Sequence, residues 1–342
     1  MRASVVILNW NTSALLGRFL PAMLKSVGGM DAEIIVADNA STDDSLSMLS
    51  ERFPSVKRIP LERNFGFAEG YNRALDGLDS DVYVLVNSDV DVPEDWLRKL
   101  LSHLDNHPEC GVCGPKLHAL EADGSRGDRF EYAGAAGGCI DRYGYPFCRG
   151  RVLSRTEIDR GQYDGPAEIL WVSGACLAVR RGIWEAMGGF DASFFAHMEE
   201  IDFCWRAQLA GWKVQAVTDC VVWHLGGGTL PQGSPFKLKL NFRNNLLLLE
   251  KNLAPTFAAA GLSPQKAKRK ASWRIFFREI LDGCAALAYL LTLHPDRFKA
   301  VWDAHKEYRG MRASAANSAA LRLASPIQGY REDVCVLLGN VK

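Results

Sequence analysis

Residues 82–95 read VYVLVNSDVDVPED, an apolar run that breaks abruptly into polar residues. Val82–Val86 combines β-branched and aromatic side chains without a polar face, the pattern of a strand buried on both sides. Working back towards the start, Ser4–Leu8 and Glu33–Ala37 have the same character, and Val56–Pro60 is a weaker copy. The segments between them, about 13–27, 43–52 and 67–78, carry helical periodicity. This alternation predicts an α/β domain with a mainly parallel central sheet flanked by helices. In such sheets ligands bind beyond the carboxyl ends of the strands. Those ends are polar: Asn9-Trp10-Asn11, Asp38-Asn39-Ala40-Ser41, Arg63-Asn64 and Asn87-Ser88-Asp89-Val90-Asp91. One such cluster is what a helix cap or a turn requires. Four on one edge predict a binding cleft.

Further along, residues 120–166 are Gly-rich and read as irregular. Ile169–Val179 then reads as a strand, Gly182–Met187 and Glu199–Leu209 as helices, and Val214–Val217 and Val221–Trp223 as short strands. From about Pro235 the pattern is helical, which suggests a domain over residues 1–250 and a helical extension over 251–342.

At 342 residues the chain is long enough for a substantial core, and with 48% hydrophobic and 23% charged residues it matches no disordered or collagenous class. Lys and Arg total 40, as do Asp and Glu, so no overall field favours nucleic acid as a partner. Nine cysteines, an odd number without a framework, read as reduced thiols of a cytoplasmic protein. Cys110-x-x-Cys113 has no second pair at zinc spacing. The apolar runs VVIL (5–8) and GCAALAYLLTL (283–293) are too short for a signal core and a spanning helix respectively.

Three constellations carry chemistry. Asp89 and Asp91 after the fourth strand allow two readings: a capped turn, or a hard divalent cation relieving two neighbouring carboxylates. In Glu199-Glu200-Ile201-Asp202, a helix places Glu199, Asp202 and Arg206 on one face and Glu200 elsewhere. A helix N-terminus stabilises such acids without any catalytic role. His224 follows a short strand and precedes Gly226, Gly227 and Gly228, which lack the Lys-Ser/Thr of a phosphate loop.

Taken together, SVVILNWN, VADNASTD, ERNFGFAEGYNRAL, LVNSDVDV, WVSGACLAVRR, GGFDASFFAHMEEIDFCWR and VVWHLGGG resemble the family 2 glycosyltransferases over roughly residues 3–250. The resemblance, closest in character to rhamnosyltransferase-like bacterial enzymes, implies the GT-A fold and inverting transfer from a nucleoside-diphosphate sugar. It implies that Asp38 contacts the base, within a donor-binding set of Asn9, Asp38, Asn39, Asn64, Asn87 and Asp89. Arg243 allows two readings, a bidentate donor to the diphosphate or part of a solvated helix face. The resemblance also implies that Asp89, Asp91 and His224 hold Mn2+ or Mg2+, and that Trp171, Ser173, Gly174 and Arg206 border the acceptor; Trp171 equally fits a residue that anchors the sheet to a helix. Relatives commonly read Glu-Asp where this chain has Glu199-Glu200, so Glu200 matches the general base with one extra methylene. That departure keeps Glu199 and Asp202 as alternatives. The three glycines would form a flap over the diphosphate.

From Lys237 to Arg312 the chain has 15 Lys/Arg against 6 Asp/Glu. Lys266, Lys268, Arg269, Lys270, Arg274 and Arg278 are interleaved with Trp273, Phe276 and Phe277 ahead of an apolar stretch. Two readings fit: a helix packed on the domain with its charges in water, or an interfacial helix on anionic membrane, on the cytoplasmic face of the inner membrane. The implied acceptor is a glycan or lipid-linked glycan. A nucleotidyltransferase would carry a Gly-rich basic loop where NWNTSALLG stands, and a non-catalytic binding protein would not need the acids and His224.

Overall fold

The computed structural model describes residues 1–121, 123–165, 167–226, 234–314 and 327–338. The strands β1 (Ala3–Asn9), β2 (Ala32–Asp38), β3 (Lys57–Pro60) and β4 (Val82–Val86) pair in parallel in the order β4-β1-β2-β3. The crossovers are α1 (Ser13–Ser26), α2 (Ser45–Arg52) and α3 (Gly66–Leu75). This half follows the alternation read from the sequence.

Beyond β4 the sheet becomes mixed. After β5 (Val90–Asp91) and α4 (Trp96–Asn106) come β6 (Cys110–Leu120) and β7 (Arg126–Phe130). The chain then builds a small second sheet from β8 (Gly138–Asp141), β9 (Pro146–Cys148), β10 (Arg151–Val152) and β11 (Arg155–Thr156), so residues 120–166 are more regular than their glycines suggested. Instead of one strand over Ile169–Val179, β12 (Ala167–Glu168) and β13 (Cys176–Arg180) flank a non-regular crossing that contains Trp171 to Ala175. β13 runs antiparallel to both β4 and β6. After α5 (Arg181–Met187) and α6 (Glu199–Leu209), β14 (Lys213–His224) is one strand with an irregularity between Val217 and Val221, parallel to β6.

Period-two alternation loads both faces of the sheet. Val5, Ile7, Val84 and Val86 pack with Leu16 and Phe19 of α1 and Trp96 and Leu100 of α4, whereas Val6, Tyr83 and Leu85 belong to the core containing α3 and α6. α7 (Pro235–Ala259) adds Leu246 to Leu249 to that second core and packs on α8 (Pro264–Leu291) and α9 (Pro295–Met311). The boundary expected at residue 250 therefore falls inside α7. β15 (Tyr330–Arg331) returns to pair with β8. Among the described residues no helix is long and apolar enough to cross a membrane, and all nine cysteines are free.

Candidate active site

The parallel register places Asn9 opposite Asp38 at the ends of β1 and β2. Asn9 Nδ2 donates to Asp38 Oδ1 at 2.7 Å, and Ser41 N donates to Asp38 Oδ2 at 3.0 Å. Thr12 Oγ1 donates to Asn9 Oδ1 at 2.5 Å and approaches Ser88 Oγ at 2.9 Å, joining β1 to the end of β4. Asn39 Nδ2 donates to Asn64 Oδ1 at 3.1 Å and to Gly66 O at 3.0 Å. Hydrogen bonds thus link all four polar strand ends. Asn9, Asp38 and Asn39 are buried by them, Asn87 is half-buried and Asn64 is exposed.

The antiparallel pairing of β5 with β14 sets His224 opposite Val90 and so beside Asp89. His224 Nε2 lies 3.1 Å from Asp89 Oδ1, and Nδ1 lies 3.5 Å from Glu131 Oε2. Burial lowers the imidazole, but the Asp89 carboxylate, joined by Glu131, outweighs it and raises His224 to about 10. Asp91, the third residue expected at the metal, makes a different contact. Its Oδ2 accepts from Arg126 Nε at 2.8 Å, and Arg126 stacks over Trp223, the residue opposite Asp91 in the ladder.

Among the described residues no three His, Cys, Asp or Glu side chains form a ready metal cage. Asp89 and His224 nevertheless supply an oxygen and a nitrogen donor side by side, with Glu131 behind the imidazole. One or two protein ligands completed by phosphate oxygens is a common way to hold Mg2+. The residues present therefore fit a divalent cation bound together with a diphosphate. Gly226 is positioned beside Glu131, whereas Gly227 and Gly228, expected in a flap, lie outside the described residues.

On the other side, Asn87 N donates to Ala175 O at 3.0 Å, tying β4 to the Ser173-Gly174-Ala175 crossing. Ser173 is buried, and its Oγ accepts from Ala175 N at 3.2 Å. A Cβ on Gly174 would lie 3.3 Å from the Phe67 ring and 3.8 Å from Glu200 Cβ, so the crossing passes beside the start of α6. Glu200 is partly exposed, while its Oε2 is buried without a hydrogen-bond partner. Burial, partly offset by backbone amides of the first turn of α6, raises its carboxyl to about 7.

Glu199 is buried and Oε2 is unpartnered; burial, then the charge of Glu200, raises it well above the ordinary carboxyl value. Asp202 is wholly buried and lowered: burial raises it, but Arg206 and Lys251 prevail. It accepts from Arg206 Nε at 2.7 Å, Lys251 Nζ at 3.1 Å and Asn252 Nδ2 at 2.9 Å. Asp202 is therefore a structural anion and not an alternative base. Arg206 is corrected from the acceptor set for the same reason, its other nitrogens donating to Met187 O and Gly189 O.

Two further placements differ from expectation. Trp171 is 3% exposed, with its indole Nε1 donating to Cys139 O at 3.2 Å; it anchors the small sheet and does not line a cleft. Arg243 donates to Ser193 O, Phe194 O and Asn244 Oδ1 and pairs with Glu307 at 3.2 Å, which occupies its guanidinium away from any diphosphate.

Sequence reasoning missed Glu131, hidden in the Gly-rich stretch, and Asn244, which sits next to Arg243. Asn244 Nδ2 lies 2.9, 2.8 and 2.7 Å from the carbonyls of Phe194, Ala196 and His197. These bonds hold a strained approach to Glu199-Glu200, with φ of 64° at Phe195, 70° at His197 and 75° at Met198. Left-handed non-glycine residues cost of order 1–3 kcal/mol each and persist where surrounding bonds impose them. Phe195 O also accepts from Phe67 N and Ala68 N, at the start of α3. Gly66 there has φ 77°, and a Cβ would lie 2.5 Å from the Phe195 ring, so the junction requires glycine.

The sequence pattern described as Glycosyl transferase family 2 matches residues 4–182. The chain belongs to that family. It is 29% identical over 237 residues to the N-acetylglucosaminyl-diphospho-decaprenol L-rhamnosyltransferase of Mycobacterium tuberculosis, an alignment covering 64% of this chain and 75% of the relative. Its fold is similar to that of GalNAc-T7 solved with UDP, GalNAc and Mn2+, with a TM-score of 0.57 and 16% identity over 80% of this chain and about half (54%) of the other. The mannosyltransferase of Pyrobaculum calidifontis solved with GDP-Man and Mn2+ has a TM-score of 0.52 and 16% identity, over 90% of this chain and 87% of the other. The fold of this glycosyltransferase is GT-A, with a mixed central sheet and a helical C-terminal region.

Proposed function

We propose that the protein transfers a sugar, with inversion, from a nucleoside-diphosphate sugar to a hydroxyl of a glycan or lipid-linked glycan. The observation that supports this is Glu200: a partly exposed carboxyl at the start of α6, raised to about 7, beside Gly174 of the crossing that Asn87 at the end of β4 binds. Glu200 takes the proton from the acceptor hydroxyl as its oxygen bonds to the anomeric carbon, and the bond from that carbon to the diphosphate oxygen breaks. A single displacement of this kind requires no covalent enzyme intermediate.

Asp38, held by Asn9 and Ser41, would contact the base of the donor, with Asn39 and Asn64 joined beside it and Asn87 at the end of β4. Asp89 and His224 would hold a Mn2+ or Mg2+ ion, which supplies charge neutralisation to the departing diphosphate. Ser173 and Gly174 shape the acceptor side. The relative that acts on a decaprenol-linked diphospho-sugar supports a lipid-linked acceptor, and the neighbours solved with UDP or GDP-Man support a nucleotide donor.

The test is a panel of UDP-, GDP- and dTDP-sugars assayed for thermal stabilisation and for slow hydrolysis, with Mn2+ and with chelator. One donor should raise Tm and be hydrolysed only with metal. A panel that neither stabilises nor is turned over would overturn the proposal.

A further inference from the structure

We infer that the outer face of α8 is a docking surface for an anionic lipid bilayer. The inner face is fixed to the protein: Ala267, Ala271, Ile275, Arg278, Asp282 and Ala286 are buried, at spacings of four, four, three, four and four. Arg278 pairs with Asp282 at 2.7 Å and bonds to Asn245 on α7. The opposite face is apolar and open to water. Trp273, Phe276, Phe277, Ile280, Leu287 and Leu291 follow one another along it, with Trp273 56% and Leu291 75% exposed. From Arg269 to Leu291 the stripe runs for roughly 33 Å at the helical rise. Single exposed apolar residues need no explanation, but a contiguous stripe marks a contact surface.

Charge selects the occupant. Lys266, Lys268 and Arg269 are exposed at the start of the stripe and form no ion pair among the described residues. A groove of about 570 Å³ there is lined by Gln265, Lys268, Arg269, Ser272, Trp273 and Phe276. Cations and a hydroxyl thus border an aromatic floor, as an anionic headgroup above its first acyl carbons requires. A second copy of this chain would bring the same three cations, Lys266, Lys268 and Arg269, against these, so a bilayer is the better complement. Trp and Phe suit the boundary between headgroup and hydrocarbon. The surface is one helix away from the proposed chemistry, since Asn245 of α7 binds Arg278 while its neighbour Asn244 holds the loop before Glu199.

The test is co-sedimentation of the full chain with vesicles of phosphatidylcholine alone or mixed with phosphatidylglycerol. The wild type should pellet with the mixed vesicles at low salt and be released as salt rises. Trp273→Asp combined with Phe277→Asp and Leu291→Asp should weaken binding at least tenfold. Lys266→Glu combined with Lys268→Glu and Arg269→Glu should remove the preference for the anionic lipid, and because these positions are exposed this variant decides the matter if the apolar one is unstable. Donor hydrolysis should be unchanged in both variants, which separates this inference from the proposed reaction. A wild type that stays in the supernatant with both vesicles overturns it, as does a dimer dispersed by the apolar variant without any vesicle binding.

Discussion

Asn244 Nδ2 lies 2.7 Å from the carbonyl of His197, three residues before Glu200. The bond joins the first turns of α7 to the strained entry of α6, so a residue outside the cleft fixes the direction from which the proposed base enters it. Asn244→Ala should lower kcat roughly 10- to 100-fold, the scale of an ångström-sized misplacement, with little change in donor affinity. Steady-state kinetics beside calorimetric donor titration check this; equal loss of both would assign Asn244 to general stability.

The Glu200 carboxyl stands at about 7 because burial opposes its charge. A general base works only when ionised, so kcat/KM should rise tenfold per pH unit below about 7 and level off above it. The profile is measured over a range in which the protein stays folded. A rate that is flat from well below to well above 7 would remove Glu200 from the role.

Glu199 titrates on folding in the opposite sense to a salt-bridged acid. Its folded value is raised well above 4.5, so the unfolded chain releases the proton first and stability falls as pH rises from about 4.5 towards the folded value. Glu199→Gln removes that loss. The variant should match the wild type in Tm near pH 4 and exceed it at pH 8, by thermal melts in matched buffers. An equal shift at both pH values would mean that Glu199 is not protonated in the fold.

Asp202 answers two buried cations, Arg206 and Lys251, at 2.7 and 3.1 Å. Removing one partner of such a network leaves uncompensated charge and costs roughly 3–5 kcal/mol. Asp202→Ala should therefore lower the denaturant midpoint sharply while the folded fraction keeps its rate. Full stability with no turnover would return Asp202 to the list of bases.

What the sequence revealed depended on how local the determinant was. Asn9 and Asp38 were legible because a parallel ladder brings equivalent strand ends together, and this register is written in the apolar runs themselves. β6 was not, because Gly111, Gly114, Pro115 and Lys116 interrupt its apolar pattern and only pairing with β14 and β13 makes it a strand. Arg206, Arg243 and Trp171 were assigned to ligands, yet their partners are the backbone of distant loops, which residue type does not disclose. Asp91 was grouped with Asp89 by the family resemblance, since spacing alone left a capped turn open. The pairing of β5 with β14 gives the two carboxylates different partners, Arg126 and His224.

The central claim is that Glu200 takes the acceptor proton, and Glu200→Gln tests it most directly. With donor and metal saturating, transfer by the variant should fall ~10²- to 10⁴-fold while calorimetry gives a donor Kd close to that of the wild type. Near-normal turnover by Glu200→Gln would contradict it.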